Sequence, residues 1–216
     1  MGIDVLGISG SPVNKSNTDR VVNAILEATG CRTEFVKLSR INVRPCLGCK
    51  RCVPDNVCRV EDDFPALSEM IQGAGAVVIG GYTPYGQIDG FTKALLERFW
   101  SLRHVNSLLR GKLCATVLTC LVPELAGPTN QALATELVNY EHMELLGQVT
   151  VPGNLPCLTC GRGDDCEQSG VTLMFGQDAK ASDQSYCRAE DREDVWDAAR
   201  DIGRRMGDRL RDTRAL

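Results

Sequence analysis

The chain has 216 residues, of which 43% are hydrophobic and 24% are charged, and its net charge is −4. These are values of an ordinary globular domain that can bury a core without covalent cross-links. The acidic balance argues against nucleic acid or an anionic membrane as the main partner, and no apolar run approaches the roughly 18 residues of a membrane span.

Alternating strands and helices are predicted along the chain. Apolar, β-rich runs predict strands at 3–9, 33–38, 76–82, 112–119 and 147–152. Helical spacing predicts helices at 18–29, 62–73, 90–105, 129–146 and 190–211. This alternation is typical of a parallel sheet buried on both faces by helices, in one α/β domain spanning 1–216.

Two stretches, 39–61 and 152–189, match no predicted element and are rich in cysteine. Loops of this length in a compact domain are usually functional or disordered. The first residues lack the basic segment of a signal peptide, so we expect a cytoplasmic location. In that reducing compartment the eleven cysteines favour metal binding or redox chemistry over disulfides.

The loop after the first predicted strand reads GISGSPVNKSNT. Its hydroxyls, amide and helix start suit a phosphate group. It is neither a Walker loop nor a G-x-G-x-x-G fingerprint. The stretch LSRIN after the second strand lacks a carboxylate for an adenosine ribose, which favours a mononucleotide. The alternative is a Ser/Asn-rich turn that only caps the helix.

The loop after the third predicted strand reads GGYTPYGQIDGFTK. Tyr82 and Tyr85 are able to stack on a planar ring, and Gly86 lets the backbone approach that ring. The alternative is that both tyrosines pack at the end of the sheet.

Together with CLGCKRC and the following Cys58, these two loops resemble the flavodoxin-like NAD(P)H-dependent FMN reductases, and most of all the iron–sulfur flavoproteins. The resemblance implies a flavodoxin-like three-layer sandwich with a five-stranded parallel sheet of order 2-1-3-4-5. It implies FMN as cofactor and a homodimer or homotetramer. Implied phosphate ligands are Ser9, Ser11, Ser16, Asn17 and Thr18; implied ring contacts are Thr83, Pro84, Tyr85 and Gly86.

Cys46, Cys49, Cys52 and Cys58 are separated by two, two and five residues. A C-x₂-C-x₂-C run brings three thiolates around one cubane, whereas zinc sites usually use two distant cysteine pairs. A cluster, a zinc ion and unligated thiols stay open from spacing alone. The resemblance implies a [4Fe–4S] cluster, and the basic residues nearby suit its negative charge: Arg40, Arg44, Lys50, Arg51 and Arg59.

A second group comprises Cys157, Cys160, Cys166 and Cys187. The loop that carries these cysteines begins at the carboxyl end of the fifth predicted strand, on the same side of the sheet as the two predicted flavin loops. A second cluster, a structural zinc, a redox-active pair of Cys157 and Cys160, and inert thiols remain alternatives. His104 and His142 fall on predicted helices, and we expect neither to be a ligand.

Three functions are compatible with these features. The first is an FMN-dependent electron-transfer protein that carries a [4Fe–4S] cluster, with ferredoxin or NAD(P)H as donor and a small acceptor. The second is a cluster-free NAD(P)H-dependent FMN or quinone reductase with structural zinc. The third is a non-enzymatic, metal-responsive protein of the same fold.

Overall fold

A computed structural model describes residues 2–181 and 186–215. Its strands are β1 (Val5–Ser9), β2 (Thr33–Lys37), β3 (Ala76–Tyr82), β4 (Leu113–Cys120) and β5 (Glu144–Pro152). These five strands form one parallel sheet in the order β2-β1-β3-β4-β5. The predicted fold class and strand order are therefore confirmed.

Helices cover both faces of the sheet and create two hydrophobic cores. The helices are α1 (Asn17–Ala28), α2 (Phe64–Gly73), α3 (Gly90–Phe99), α4 (Gly127–Ala134), α5 (Gly170–Phe175) and α6 (Glu193–Ala215). One core lies under α1 and α6, and the other under α2, α3 and α4.

The central strands supply side chains to the two cores in alternation, as the pleat of a strand requires. In β1, Val5 packs under α1, whereas Leu6 and Ile8 pack on the opposite face. The expectation of strands buried on both faces is wrong for β2, where Thr33 and Glu34 are exposed. β2 lies at the edge of the sheet, so fewer neighbours cover it.

Two predicted helices end earlier than expected. The helix predicted at 90–105 ends at Phe99 and continues only as a 3₁₀ turn, Trp100–Leu102. The helix predicted at 129–146 ends in a π-helical turn, Thr135–Tyr140, and β5 begins at Glu144. His104 and His142 therefore lie outside helices, and the positive φ of 56° at His142 separates helix from strand.

The stretch 152–189 is not entirely irregular, because it contains α5 and short 3₁₀ turns. Part of this stretch, 182–185, lies outside the described residues. Among the described helices, none combines the length and apolar character needed to cross a membrane.

Candidate functional site: a phosphate pocket and a four-cysteine cavity

The loop after β1 lies where the strand order reverses between β1 and β3, the usual ligand position in open α/β sheets. Ser16 caps α1, and its hydroxyl accepts a hydrogen bond from the Asp19 backbone N–H at 3.1 Å. Asp19 completes the capping box by accepting from the Ser16 N–H. The first turn of α1 is thereby fixed beneath the loop.

A buried ion pair supports the same loop from behind. The Lys37 Nζ donates to Asp19 Oδ2 at 2.6 Å and to the Val13 carbonyl at 2.7 Å, and the Lys37 side chain is 3% exposed. Ser9 donates to the other Asp19 oxygen at 2.6 Å. The side chain of Ser9, a predicted phosphate ligand, is thus engaged behind the loop.

A cavity of about 420 Å³ opens in front of the loop. Thr18 and Thr119 share a hydrogen bond of 2.7 Å between their hydroxyls. Within the described residues, the Ser11 hydroxyl forms no hydrogen bond and remains free for a ligand. Four of the five predicted phosphate ligands line this cavity: Ser11, Ser16, Asn17 and Thr18.

The Asn17 side chain has a role that the sequence did not indicate. Its amide nitrogen donates to the carbonyls of Pro152 and Cys187 at 3.1 and 3.0 Å, and its oxygen accepts from the Ala189 N–H at 3.2 Å. Asn154 adds two hydrogen bonds of 2.7 Å to the Cys187 backbone. The Asn17 side chain therefore holds the chain that follows β5, here called the returning chain, beside the pocket. The backbone N–H of Asn17 remains available for a phosphate.

This returning chain supplies pocket-lining residues that sequence reasoning missed: Asn154, Leu155, Pro156, Thr159 and Tyr186. The missed residues follow β5 or come after α5, so only the tertiary structure brings them to α1.

Gly10 joins the two predicted flavin loops. Its N–H donates to the Gly80 carbonyl at 2.8 Å. A Cβ at this position would lie 2.0 Å from Thr92 Oγ1 and 2.7 Å from Asp89 Oδ1. Asp89 is fully buried and caps α3, and it also accepts from the Tyr82 N–H. The first loop can therefore approach the second only with a glycine here.

The predicted ring contacts Thr83, Pro84, Tyr85 and Gly86 do not line the 420 Å³ cavity. Tyr85 is fully exposed at a φ of 52°, a conformation that costs a non-glycine residue about 1–3 kcal/mol. Such strain is often found at ligand clamps. Tyr82 instead lines the cavity, and burial raises the pKa of its hydroxyl.

The cysteines of the first group line a second cavity, of about 320 Å³. Cys52 is buried, Cys58 is half-buried, and Cys46 and Cys49 are exposed. Burial raises the pKa of the Cys52 thiol, and charge on the other three thiols raises it further. Hydrogen bonds from the Arg51 backbone and side chain lower the pKa of Cys49. The four thiols thus share one electrostatic environment.

This cavity has more room than a single ion would need. Over the residues that the structure describes, no three His, Cys, Asp or Glu side chains lie close enough to hold one metal ion. The volume equals about ten water molecules at roughly 30 Å³ each. Arg98 also lines it, and its buried Nε lacks a hydrogen-bond partner. A cluster would offer thiolate and sulfide acceptors, so the residues fit a [4Fe–4S] group.

The basic residues divide between the two cavities. Lys50 and Arg59 line the cysteine cavity, and Arg51 lowers the pKa of Cys49 through its hydrogen bonds. Arg40 instead donates to Asn14 Oδ1 at 2.9 Å, beside the phosphate loop. Arg44 contributes its backbone, whose N–H donates to Asp62 at 2.9 Å. Only some of the basic residues that the sequence predicted near the cysteines therefore lie around them in the structure.

The two cavities lie at different levels of α3. Asp89 caps its first turn beside the phosphate loop, whereas Arg98 lies near its last residue, Phe99. Arg98 lies eight residues after Gly90, which corresponds to about 12 Å along a helix axis. The cysteine cavity is thus displaced from the phosphate pocket of the same chain.

The second cysteine group is spread along the segment that covers the phosphate pocket. Cys157 accepts a hydrogen bond from the Gly170 N–H at 3.3 Å, and Cys160 accepts from the Arg162 N–H at 3.4 Å. Cys166 is exposed, and Cys187 is half-buried with its backbone held by Asn154. Over the described part of the chain these thiols form no single-ion site.

Comparison with known proteins connects this geometry to flavin proteins. The family model for NADPH-dependent FMN reductase matches residues 3–156. An iron–sulfur flavoprotein of Methanocaldococcus jannaschii is 32% identical over 116 residues, which are 52% of this chain and 60% of that protein. One from Archaeoglobus fulgidus is 35% identical over 118 residues, which are 53% and 58% of the two chains. The matched part thus spans about 60% of these relatives.

Solved structures support the fold. RosB with bound 8-demethyl-8-formylriboflavin-5′-phosphate has a TM-score of 0.65 at 13% identity, with 98% of this chain and 81% of RosB covered. A flavone reductase has a TM-score of 0.62 at 15% identity, with coverages of 98% and 64%.

Proposed function

Because this chain belongs to the NADPH-dependent FMN reductase family, we propose that it is a flavin-dependent oxidoreductase in which FMN exchanges electrons with a [4Fe–4S] cluster. The observation that carries this proposal is the single cavity lined by Cys46, Cys49, Cys52 and Cys58. When bound, FMN would supply two-electron or one-electron chemistry, and the cluster would supply one-electron transfer.

The phosphate of FMN would lie at the start of α1. The free Ser11 hydroxyl and the backbone N–H groups of the first turn are the donors available for it. Lys37 and Asp19 hold these donors in place from behind, so the loop needs little rearrangement on binding. The ring of Tyr85 is exposed on the loop after β3 and would cover the isoalloxazine.

The cluster would be held by the four cysteine thiolates. Arg51 favours the thiolate form of Cys49, and Lys50 and Arg59 add positive charge at the cavity. The chain's contribution is to gather the thiols and to offset their negative charge.

We further propose a homodimer or homotetramer in which the cluster of one subunit serves the flavin of another. The displacement of the two cavities along α3 supports this arrangement. So do apolar side chains on the cysteine loop that are exposed in the single chain: Leu47 (61%), Val53 (42%) and Val57 (51%). Ferredoxin or NAD(P)H would be the electron donor, and the reducing cytoplasm would suit a cysteine-rich chain.

The cofactors are tested directly on anaerobically purified protein. We expect denaturation to release one FMN per chain and no FAD, because the pocket offers one phosphate site and no ribose carboxylate follows β2. We expect the visible spectrum to show flavin bands plus a broad absorption shoulder from iron–sulfur charge transfer. Flavin bands without iron would favour the cluster-free reductase; no flavin would favour the metal-responsive protein. Stoichiometric FAD would contradict the proposed pocket.

We propose that Cys157 and Cys160 form a reactive thiol pair beside the phosphate pocket. Their segment lines that pocket through Pro156 and Thr159. The double variant Cys157→Ser/Cys160→Ser should lose two reactive thiols, or a bound metal, and keep its FMN. Thiol titration of the native protein and metal analysis measure this. If thiol reactivity, metal content and electron transfer all equal those of the wild type, both residues are chemically inert and the proposed pair is contradicted.

A further inference from the structure

A buried arginine lies against the cysteine cavity. Arg98 projects from α3, and its side chain and that of Asp62 are both 0% exposed. Its Nη1 and Nη2 donate to the two Asp62 oxygens at 2.5 and 3.1 Å. The Phe64 ring lies 4.4 Å from the guanidinium carbon and covers it. Guanidinium groups stay protonated in proteins, so the two side chains form a permanent ion pair whose positive member, Arg98, lines the cavity and whose negative member, Asp62, does not.

The Arg98–Asp62 pair closes the cysteine loop. Arg98 Nη1 donates to the Arg44 carbonyl at 3.0 Å, and the Arg44 N–H donates back to Asp62 Oδ2 at 2.9 Å. The Phe64 N–H donates to the other Asp62 oxygen at 3.0 Å. Residues 44 and 62 flank the four cysteines, so the pair ties both ends of their loop to α3.

The hydrogen bonding of Arg98 is incomplete on the protein side. A guanidinium has five N–H donors, and oxygen atoms of the described residues accept three hydrogen bonds from Arg98. The Nε is buried and has no partner among these residues. Arg98 lines the same cavity as Cys58, whose sulfur interacts with the guanidinium. A buried donor without a partner costs free energy of folding. A bound group that brings hydrogen-bond acceptors into the cavity would remove this cost.

We propose that Arg98 sets the reduction potential of the cluster: it is a positioning residue whose buried charge and spare N–H donors stabilise the reduced state. This inference rests on the proposed cluster. Reduction adds one electron, from FMN or the external donor, and breaks no bond. The reduced cluster carries one more negative charge, and nearby positive charge and hydrogen bonds to sulfur raise the potential of such clusters.

The exposed arginine of the same cavity provides a matched control. The Arg59 side chain is 40% exposed and pairs with Asp55. Water and salt screen an exposed charge far more than a buried one. Removing the charge of Arg59 should therefore change the potential much less than removing that of Arg98, although both residues line the cavity.

The experiment is an anaerobic redox titration of the cluster, followed by electron paramagnetic resonance, with the FMN titrated in parallel. For Arg98→Gln we expect the reduction equilibrium constant of the cluster to fall about tenfold, a shift of about 59 mV to lower potential for one electron. Arg98→Lys keeps the charge and should lie between Arg98→Gln and wild type. Arg59→Gln should change the equilibrium less than about twofold because its charge is screened. The FMN potential should stay unchanged in all three.

A purely structural role gives a different result. Arg98→Gln would then lower cluster content or thermal stability, while the clusters that remain would keep the wild-type potential; this outcome overturns the inference. So does a shift no larger than that of Arg59→Gln, or a shift in Arg98→Lys as large as in Arg98→Gln. If Arg98→Gln does not fold, Asp62→Asn/Arg98→Gln replaces it, because it leaves no uncompensated buried charge; its potential should still fall. Wild-type protein without a cluster contradicts the proposed function itself.

Discussion

Replacing Cys49 by alanine should remove the iron–sulfur cluster and leave FMN bound. Cys49 is the middle cysteine of the C-x₂-C-x₂-C run, and it is exposed, so its loss creates no cavity in the core. Changing the surroundings of a metal ligand typically lowers affinity about 10–100-fold, and loss of a ligand should cost at least as much. We therefore expect iron and acid-labile sulfide to fall to a small fraction of the wild-type content.

The flavin should be unaffected by this substitution. The phosphate pocket is formed by the loop after β1 and by the chain after β5, and no residue of the cysteine loop lines it. Iron, sulfide and FMN are measured per chain on anaerobic protein. Cys31→Ala is the matched control, because Cys31 belongs to neither cysteine group. Full iron and sulfide in Cys49→Ala would contradict the role of Cys49 as a cluster ligand. Loss of FMN together with iron would contradict the proposal that the two cofactors bind at separate sites.

The parallel sheet could be predicted from the sequence because local patterns identify each of its strands. Each strand is a short apolar run between helical segments, and the strand order followed from the resemblance. The helix ends were less predictable. Leu145 and Leu146 continue the apolar spacing of the preceding helix, yet both lie in β5 after the turn at His142. α5 has six residues, too few for a helical period to be recognised.

The candidate site was predictable where neighbours in sequence are neighbours in space. This holds for the four cysteines and for Ser11, Ser16 and Thr18. The role of Asn17 was hidden because its partner Cys187 is 170 residues away. Arg98 did leave a signal. It lies three residues after Leu95 and four before Leu102, both fully buried, so a charged residue occupies the buried stripe of α3.

Replacing Gly10 by alanine should release FMN. The new Cβ would lie 2.0 Å from Thr92 Oγ1 and 2.7 Å from Asp89 Oδ1, so the loop after β1 must move away from α3. Such overpacking typically costs about 1–3 kcal/mol of folding stability. The backbone N–H groups proposed to bind the phosphate move with the loop. Loss of one hydrogen bond to a charged group costs about 1.5–3 kcal/mol.

Since each 1.4 kcal/mol is about tenfold in affinity, FMN should bind about 10- to 100-fold more weakly. Fluorescence titration of the flavin-free protein measures the Kd, and thermal unfolding measures the stability. Gly90→Ala is the matched control, because Gly90 begins α3 and its added Cβ would meet nothing within 4 Å. Equal FMN affinity in the two variants would show that the contact between the loops does not position the phosphate donors. A large loss in Gly10→Ala alone, with iron content unchanged, would place the flavin at the loop after β1 and separate it from the cluster.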